Sequence, residues 1–441
     1  MSDRIKVLEL SLNQPLETLT GLDGYHSIRA LLRWNTEPVG YLELPLKQGR
    51  CEAAILRAAL LKTHRDSLLR AVVRKDLEAP PENASPVRGP GDISTPDDKP
   101  PPVSVAVCTR DRTEQLKDCL DSLRRLSYPN IEVLVIDNAP ATEATRELLQ
   151  AHYPEFRYVR EPRPGLDWAR NRAIIEASGD ILAYTDDDVV VDPLWVDGLV
   201  RVFQADPAVM AVTGLVAPFE METHTQILFE RYGGFGRGFR RVWYHLNGVD
   251  GRKTSIHIGA GRFGTGANMA YRRSVFDRIG PFDPALDVGT VTNGGGDLEM
   301  FFRVLEEGHT LVYEPAALVW HRHRRTLPEL RTQLANNGVG FYSYLVRAGM
   351  HYPARRADLV RFGLWWFWYW NLRRLLKSFI VRPRVPRALI LAELRGALSG
   401  LTRYQKARRR AEQIRTEFPD EPQVRDVGTG VNTGMRQQAA T

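Results

Sequence analysis

Apolar and polar positions along this chain follow two regimes. In the first 78 residues, Ile5–Leu10, Ser27–Trp34 and Val39–Leu46 read as strands. Glu52–Leu77 carries apolar residues at three- and four-residue spacing and reads as a helix. From residue 102 onward, short buried runs alternate with helical patterns. V-S-V-A-V-C (103–108), I-E-V-L-V-I-D (131–137), Phe156–Arg160 and I-L-A-Y-T (181–185) are the predicted strands, with helices after Asp111, near 141–151 and near 166–177. Asp111 and Glu114 have capping-box spacing at the start of the first of these helices. Alternation at this interval predicts right-handed strand–helix–strand units on a mostly parallel sheet. Eight of the 28 prolines fall between Pro80 and Pro102, which marks a linker. The expected organisation is a small α+β module over 1–78, a linker over 79–101, an α/β domain over 102–325, a helical extension over 326–416 and a disordered tail over 417–441.

Composition narrows the classes. A chain of 441 residues with 43% apolar side chains is neither wholly disordered nor fibrous, and is long enough for two or three domains. Its net charge of +7 is unevenly spread. Residues 351–410 hold 15 Lys/Arg against two acids, while residues 1–350 are net −4. That distribution argues against nucleic acid as a partner, which would favour an extended positive footprint. Cys51, Cys108 and Cys119 form no C-x-x-C pair, and no apolar targeting run follows Met1. A reducing, cytoplasmic location is expected, with residence on the inner membrane face open. Phe362–Trp370 would rise about 13 Å as a helix, far short of a hydrocarbon core of about 30 Å. Joined to the basic excess over 355–410, these aromatics suit either an anionic membrane surface or packing and homodimer formation.

In doubly wound sheets, ligands bind beyond the carboxyl ends of the strands. Here those ends carry Thr109-Arg110-Asp111, Asp137-Asn138 and Asp186-Asp187-Asp188. Three adjacent carboxylates raise one another's pKa unless a cation neutralises them. Asp186 and Asp188 point the same way in an extended chain, and hard oxygen ligands suit Mg²⁺ or Mn²⁺ bridging to phosphate.

V-A-V-C-T-R-D-R, V-L-V-I-D-N-A, P-G-L-D-W-A-R-N-R-A and I-L-A-Y-T-D-D-D-V-V-V-D-P, in this order, resemble the family-2 glycosyltransferases of GT-A fold over roughly 102–325. The resemblance implies a GT-A-like, Rossmann-type sheet, a nucleotide-diphospho-sugar donor, a divalent metal (Mg or Mn) and inverting transfer. The acceptor would be a hydroxyl of a glycan, a lipid-linked sugar or a small molecule. It further implies that Thr109, Arg110 and Asp111 line the nucleotide pocket, that Asp137 binds the base, and that Arg170 and Asn171 sit beside the nucleotide. Asp186 would face ribose or phosphate, Asp187 would belong to the nucleotide-sugar site, and Asp188 would hold the metal with Asp186. Structural readings stand beside these: Asp111 and Asp297 as helix caps, Asp137 as a turn residue, Arg170 on a solvated helix face.

In N-G-G-G-D-L-E-M-F-F-R (293–303) the resemblance assigns the catalytic base to Asp297, with Gly296 where the family usually has Glu. Gly294–Gly296 would let the backbone approach a ligand closely. His321 is the implied third metal ligand and His323 its reserve, with Arg322, Arg324 and Arg325 offsetting diphosphate charge. G-A-G-R-F-G (259–264) fits G-x-G-x-x-G but leads into a strand-like G-T-G-A-N-M-A-Y, so a dinucleotide loop is rejected. Gly266, Ala267 and Asn268 are instead expected near substrate. The alternatives are a sugar-phosphate nucleotidyltransferase, which would want a glycine-bearing phosphate loop after the first strand, and a non-catalytic nucleotide-sugar-binding or scaffold protein.

Overall fold

A computed structural model describes residues 4–78, 99–253, 259–380 and 385–424. Most of the expected linker and the tail beyond 424 lie outside the described residues. The N-terminal module has β1 (Ile5–Ser11) parallel to β2 (Ser27–Trp34), β3 (Glu37–Pro45) antiparallel to β2, and helix α1 (Ala53–Glu78). Side-chain alternation along β2 divides its two faces. Ile28, Ala30 and Leu32 pack with Leu56 and Leu60 of α1, whereas Leu31 points the other way, onto Leu215, Ala217 and Leu318 of the main domain. The same docking surface holds a buried ion pair between Arg33 and Asp192 and a backbone bond from Ile5 to Met221 of 2.9 Å.

The main domain begins with β4 (Val103–Thr109), α2 (Thr113–Leu123), β5 (Ile131–Asn138), α3 (Ala144–His152), β6 (Arg157–Glu161), α4 (Leu166–Glu176) and β7 (Ile181–Asp186). These strands run parallel in the order β6-β5-β4-β7. The apolar runs are buried on both faces, as parallel strands under two helical layers must be. Val105, Val107, Val133 and Val135 face α2 and α5, while Ala106, Leu134 and Ile136 face α4 and α8. The chain continues through β8 (Val189–Val191), α5 (Trp195–Ala205), β9 (Val209–Pro218) and α6 (His224–Tyr232). Three short strands follow, β10 (Val242–His245), β11 (Gly248–Val249) and β12 (Arg252–Lys253), then β13 (Asn268–Arg272), α7 (Phe276–Ile279), α8 (Gly296–Glu306) and β14 (Thr310–His321). Strand β13 lies antiparallel between β7 and β9, β9 and β14 run parallel, and β10–β12 form an antiparallel edge on β14. The extension is helical: α9 (Leu327–His351), α10 (Arg356–Trp366), a π-helical turn (Phe367–Leu372), α11 (Arg373–Ile380) and α12 (Arg387–Glu417), which packs along α9. The α/β class, the mostly parallel sheet and the helical C-terminal region are those expected.

Two expectations are corrected. Asp111 does not cap α2. Its backbone is left-handed (φ 52°), Arg112 holds the N-cap position, and the Asp111 carboxylate accepts from Ala141 N at 2.9 Å, tying the β4 and β5 loops together. Residues 418–424, expected within a loose tail, return to the main domain: Arg172 pairs with Glu421 at 3.0 Å, and Arg163 donates to the Pro422 carbonyl at 3.0 Å. Asn268, expected near substrate, has its side chain committed to the sheet interior. It is fully buried, accepts from the Trp195 indole at 2.9 Å, and donates to the carbonyls of Leu215 and Ala317 at 3.1 and 2.8 Å. It thereby closes the seam where the antiparallel β13 meets the parallel pair β9–β14.

Two outcomes follow from unpaired buried polar groups. Asn268→Ala should lower unfolding free energy by about 2–3 kcal/mol, because an indole N–H and two carbonyls lose their partner. Arg33→Ala should cost about 3 kcal/mol by leaving Asp192 charged and buried at the docking surface. Urea denaturation of both variants checks these values, and an unchanged midpoint for either contradicts the corresponding role.

Candidate active site

The strand ends converge as the topology requires. Thr109 ends β4, Asp137 and Asn138 end β5, and Asp186 ends β7, with Asp187 and Asp188 in the turn beyond it. The chain then reverses into β8, which pairs antiparallel with the end of β14 so that Val189 stands opposite His321. This register brings the residue before Val189 against the histidine: His321 Nε2 is 3.3 Å from Asp188 Oδ1. Asp186, Asp188 and His321 can each offer one ligand atom within 4.8 Å of the others.

The electrostatics of this cluster suit a cation. Burial and the neighbouring Asp188 push Asp186 up, while burial pushes Asp187 up to about 6. Asp188 is held below the usual carboxylate range by His321, Arg112 and Arg324, which outweigh its burial. Burial drives His321 down to about 4, against the pull of Asp188, so its imidazole is neutral near pH 7. Its Nδ1 is buried without a partner. Two carboxylates and a neutral imidazole form a donor set that could hold a divalent metal such as Mn²⁺ or Mg²⁺.

Arg112 is the residue of this cluster that sequence reading missed. Its guanidinium spans the acidic turn, with Nη1 2.5 Å from Asp187 and Nη2 2.8 Å from Asp188. The available signal was electrostatic, since a buried acidic triplet needs a cation from another segment. Asp187 is occupied in this network, also accepting from Thr109 Oγ1 at 2.8 Å. Thr109 and Asp187 therefore brace the turn. Arg110 is half-exposed and 3.8 Å from Asp111. Of the three late arginines, only Arg324 faces the cluster, 3.6 Å from Asp188. Arg322 pairs with Asp118 and Arg325 with Glu220. His323 is held by Glu230 at 2.8 Å, which in turn pairs with Arg29 of the N-terminal module.

Asp137 is fully buried at the end of β5. Its Oδ2 accepts from the Tyr158 hydroxyl at 3.1 Å, its Oδ1 has no partner, and burial pushes it up to about 6. An unpaired buried acceptor here is a vacancy for an N–H donor.

Arg170 and Asn171 lie on the inner face of α4. Asn171, expected beside the nucleotide, is engaged by the backbone of Phe282, donating to its carbonyl and accepting from its N–H at 2.9 Å each. Arg170 is buried between Asp167, at 3.0 Å, and Asp287. It lies within the field of both Asp297 and Asp186, linking the two acidic ends of the cleft. Asp287, in the loop before α8, carried no sequence signal.

Asp297 sits in the first turn of α8. Its two oxygens accept from Gly266 N and Leu298 N, each at 2.8 Å. Burial and Asp287 push it up, against Arg170 and these two N–H groups. A carboxylate offers about four lone-pair sites, so it retains capacity to accept a proton. Gly266 is required by space, since a β-carbon would stand 2.5 Å from Arg170 Nη2. The glycine run 294–296 serves a different approach from the one expected. Gly295 closes on the Gly340 carbonyl of α9, and a side chain at Gly296 would collide with the Asp167 carboxylate. Glu299, fully buried, pairs with Arg303 and with Arg347 of α9 and so fixes α8 in place. The glycine segment 259–264 forms a short 3₁₀ turn and leads into β13, with no helix after it.

Residues 104–280 match the family model described as "Glycosyl transferase family 2". Glucosyl-dolichyl phosphate glucuronosyltransferase of Haloferax volcanii is 26% identical over 245 residues, covering 52% of this chain and 71% of its own. Pre-mycofactocin glycosyltransferase of Mycobacterium tuberculosis is 26% identical over 263 residues, covering 59% of this chain and 50% of its own. A polypeptide N-acetylgalactosaminyltransferase of Caenorhabditis elegans is 27% identical over 207 residues, covering 45% of this chain and 32% of its own. The chain thus spans about half or less of the length of some of these relatives. Among solved structures, the mannosyltransferase PcManGT from Pyrobaculum calidifontis, in complex with GDP-Man and Mn²⁺, has a TM-score of 0.43 and 16% identity, covering 83% of this chain and 98% of that one. The family match falls on the strands and loops that carry Thr109, Asp137 and the Asp186–Asp188 turn, so over residues 104–280 the chain is similar to glycosyltransferase family 2.

Proposed function

We propose that this glycosyltransferase moves a sugar from a nucleoside-diphospho-sugar to an acceptor hydroxyl with inversion at the anomeric carbon. The observation that carries the reading is the Asp186–Asp188–His321 cluster at one side of Arg170, with Asp297 at the other. Asp137, with its unpaired oxygen, would accept an N–H of the donor base. Asp186, Asp188 and His321 would hold the divalent metal, which supplies positive charge against the diphosphate. Arg112 and Arg324, now on Asp187 and Asp188, stand where they can add to that charge.

In the reaction, Asp297 takes the proton of the acceptor hydroxyl as its oxygen bonds to the anomeric carbon. The bond from that carbon to the diphosphate oxygen breaks on the opposite face, and the electron pair leaves with the nucleoside diphosphate. The raised pKa of Asp297 makes it a stronger base than an exposed carboxylate, and the backbone N–H groups of Gly266 and Leu298 fix its orientation.

Asp297→Asn should keep donor and metal affinity within about threefold and reduce transfer by about 10³-fold or more. Isothermal titration and a product assay separate the two effects, and parental turnover in this variant removes Asp297 as the base. Metal affinity should depend on pH through Asp186, pushed up to about 7. Protons compete for the site below that value, so Mn²⁺ affinity should fall by about tenfold per pH unit on the acid side and level off above it. Calorimetry from pH 5 to 8, in about unit steps, reads the slope. A flat profile contradicts ligation by Asp186.

A further inference from the structure

The C-terminal helices bury one side and leave the other apolar. Along α10, the π-helical turn and α11, Leu359, Gly363, Asn371 and Ser378 face the protein. Gly363 is the closest approach: a β-carbon there would stand 3.2 Å from Leu345 of α9, and its carbonyl accepts from the Tyr342 hydroxyl at 2.9 Å. The opposite side carries Leu364, Trp365, Trp368, Phe379 and Ile380, which are 66, 44, 54, 66 and 86% exposed. Leu398 and Leu401 of α12 are half-exposed beside it. Between α9, α10 and α12 runs an apolar groove of about 520 Å³ whose walls include Leu345, Leu359, Leu364, Phe367, Leu398 and Leu401. Soluble proteins rarely leave so many large apolar side chains together on one face, and such patches mark contact sites.

Charge selects the partner. Arg361, Arg373 and Lys377 are exposed among these apolar residues. The two acids of residues 351–410 leave Arg373 and Lys377 without an offsetting charge. Glu393 is buried under Tyr232 and Trp370, and Asp358 is paired with Arg361. A second copy of this chain would set like charge against like, which opposes self-association through this face. An anionic lipid surface satisfies both components, with cations at the headgroups and Trp and Leu in the interface. Among the described residues, no helix is long and apolar enough to cross a membrane, so the contact is interfacial.

The position of this face also matters. Phe362, Trp366 and Trp370 of the same segment line a cavity of about 330 Å³ whose other walls include Arg237 and Leu298, the residue after Asp297. We infer that the exposed face of α10–α11, with Leu398 and Leu401, docks on an anionic bilayer, that the groove receives a lipid chain, and that the Asp297 side of the cleft is thereby held at the membrane. Docking itself is independent of the transfer chemistry, whereas delivery of acceptor from the membrane rests on that reading.

Flotation of the full chain with phosphatidylcholine vesicles, alone or with about one third phosphatidylglycerol, tests the docking without donor or turnover. The protein should float with the anionic vesicles, at least about tenfold more than with neutral ones, and release in about 0.5 M salt. Leu364→Ser/Trp365→Ser/Trp368→Ser and, separately, Arg361→Glu/Arg373→Glu/Lys377→Glu should each lose about tenfold or more of this binding. Both should keep the parental melting temperature and Mn²⁺ affinity, because every substituted side chain is exposed. Absence of flotation, or equal flotation with both vesicle types, overturns the proposal. So does a dimer in sedimentation velocity that the Leu364/Trp365/Trp368 variant splits, since a second copy would then cover the face.

Discussion

Three consecutive carboxylates at the end of β7 are the constraint around which the site is organised. Asp187 and Asp188 are almost fully buried, and adjacent like charges in a low-dielectric setting are costly unless other segments neutralise them. The fold supplies that neutralisation from two directions. The turn between β4 and α2 sends Arg112 across Asp187 and Asp188, and the end of β14 brings His321 and Arg324 to Asp188. The three-residue β8 matters for this reason: its antiparallel register with β14 sets which side chain meets Asp188. A divalent cation and a diphosphate would enter a place where charge is already balanced by groups able to re-pair.

A second charged centre, Asp167–Arg170–Asp287, lies in the field of both Asp186 and Asp297. It shapes the site by exclusion as much as by attraction. The Asp167 carboxylate occupies the space a side chain at position 296 would need, and Arg170 leaves no room for a β-carbon at Gly266. The glycines of both loops are therefore demanded by neighbouring charged side chains. The run 294–296 also closes against Gly340, so α9 of the C-terminal extension fixes the loop that leads to Asp297. The extension thus helps set the position of Asp297, and much of its outer face is exposed.

The ordered blocks around Thr109, Asp137 and Asp186 were legible because each follows an apolar run, and a parallel sheet must place the ends of such runs on one edge. The hydrogen-bond partners of Asp111, Asn171 and Asn268 were not legible for a common reason. Short polar side chains near strand ends serve equally to satisfy backbone groups, and only their neighbours decide between the two uses. Asn268 is spent on Trp195, Leu215 and Ala317, and Asn171 on Phe282, partners distant in sequence. Arg112 and Asp287 were missed because a single charged residue in a loop leaves no periodic trace.

The +7 of the chain resolves into a slightly acidic stretch over residues 1–350 and one basic, aromatic segment, and that division could be read without coordinates. So could the alternation of strands and helices, since local hydrophobic period encodes local structure. What the sequence by itself determined was which residues reach the strand ends and which surface is positive. The tertiary structure alone decided which of those residues are free to act. Pairing of a buried charge depends on segments as far apart as Arg112 and Asp188, or Asp167 and Gly296, and such distances carry no local pattern.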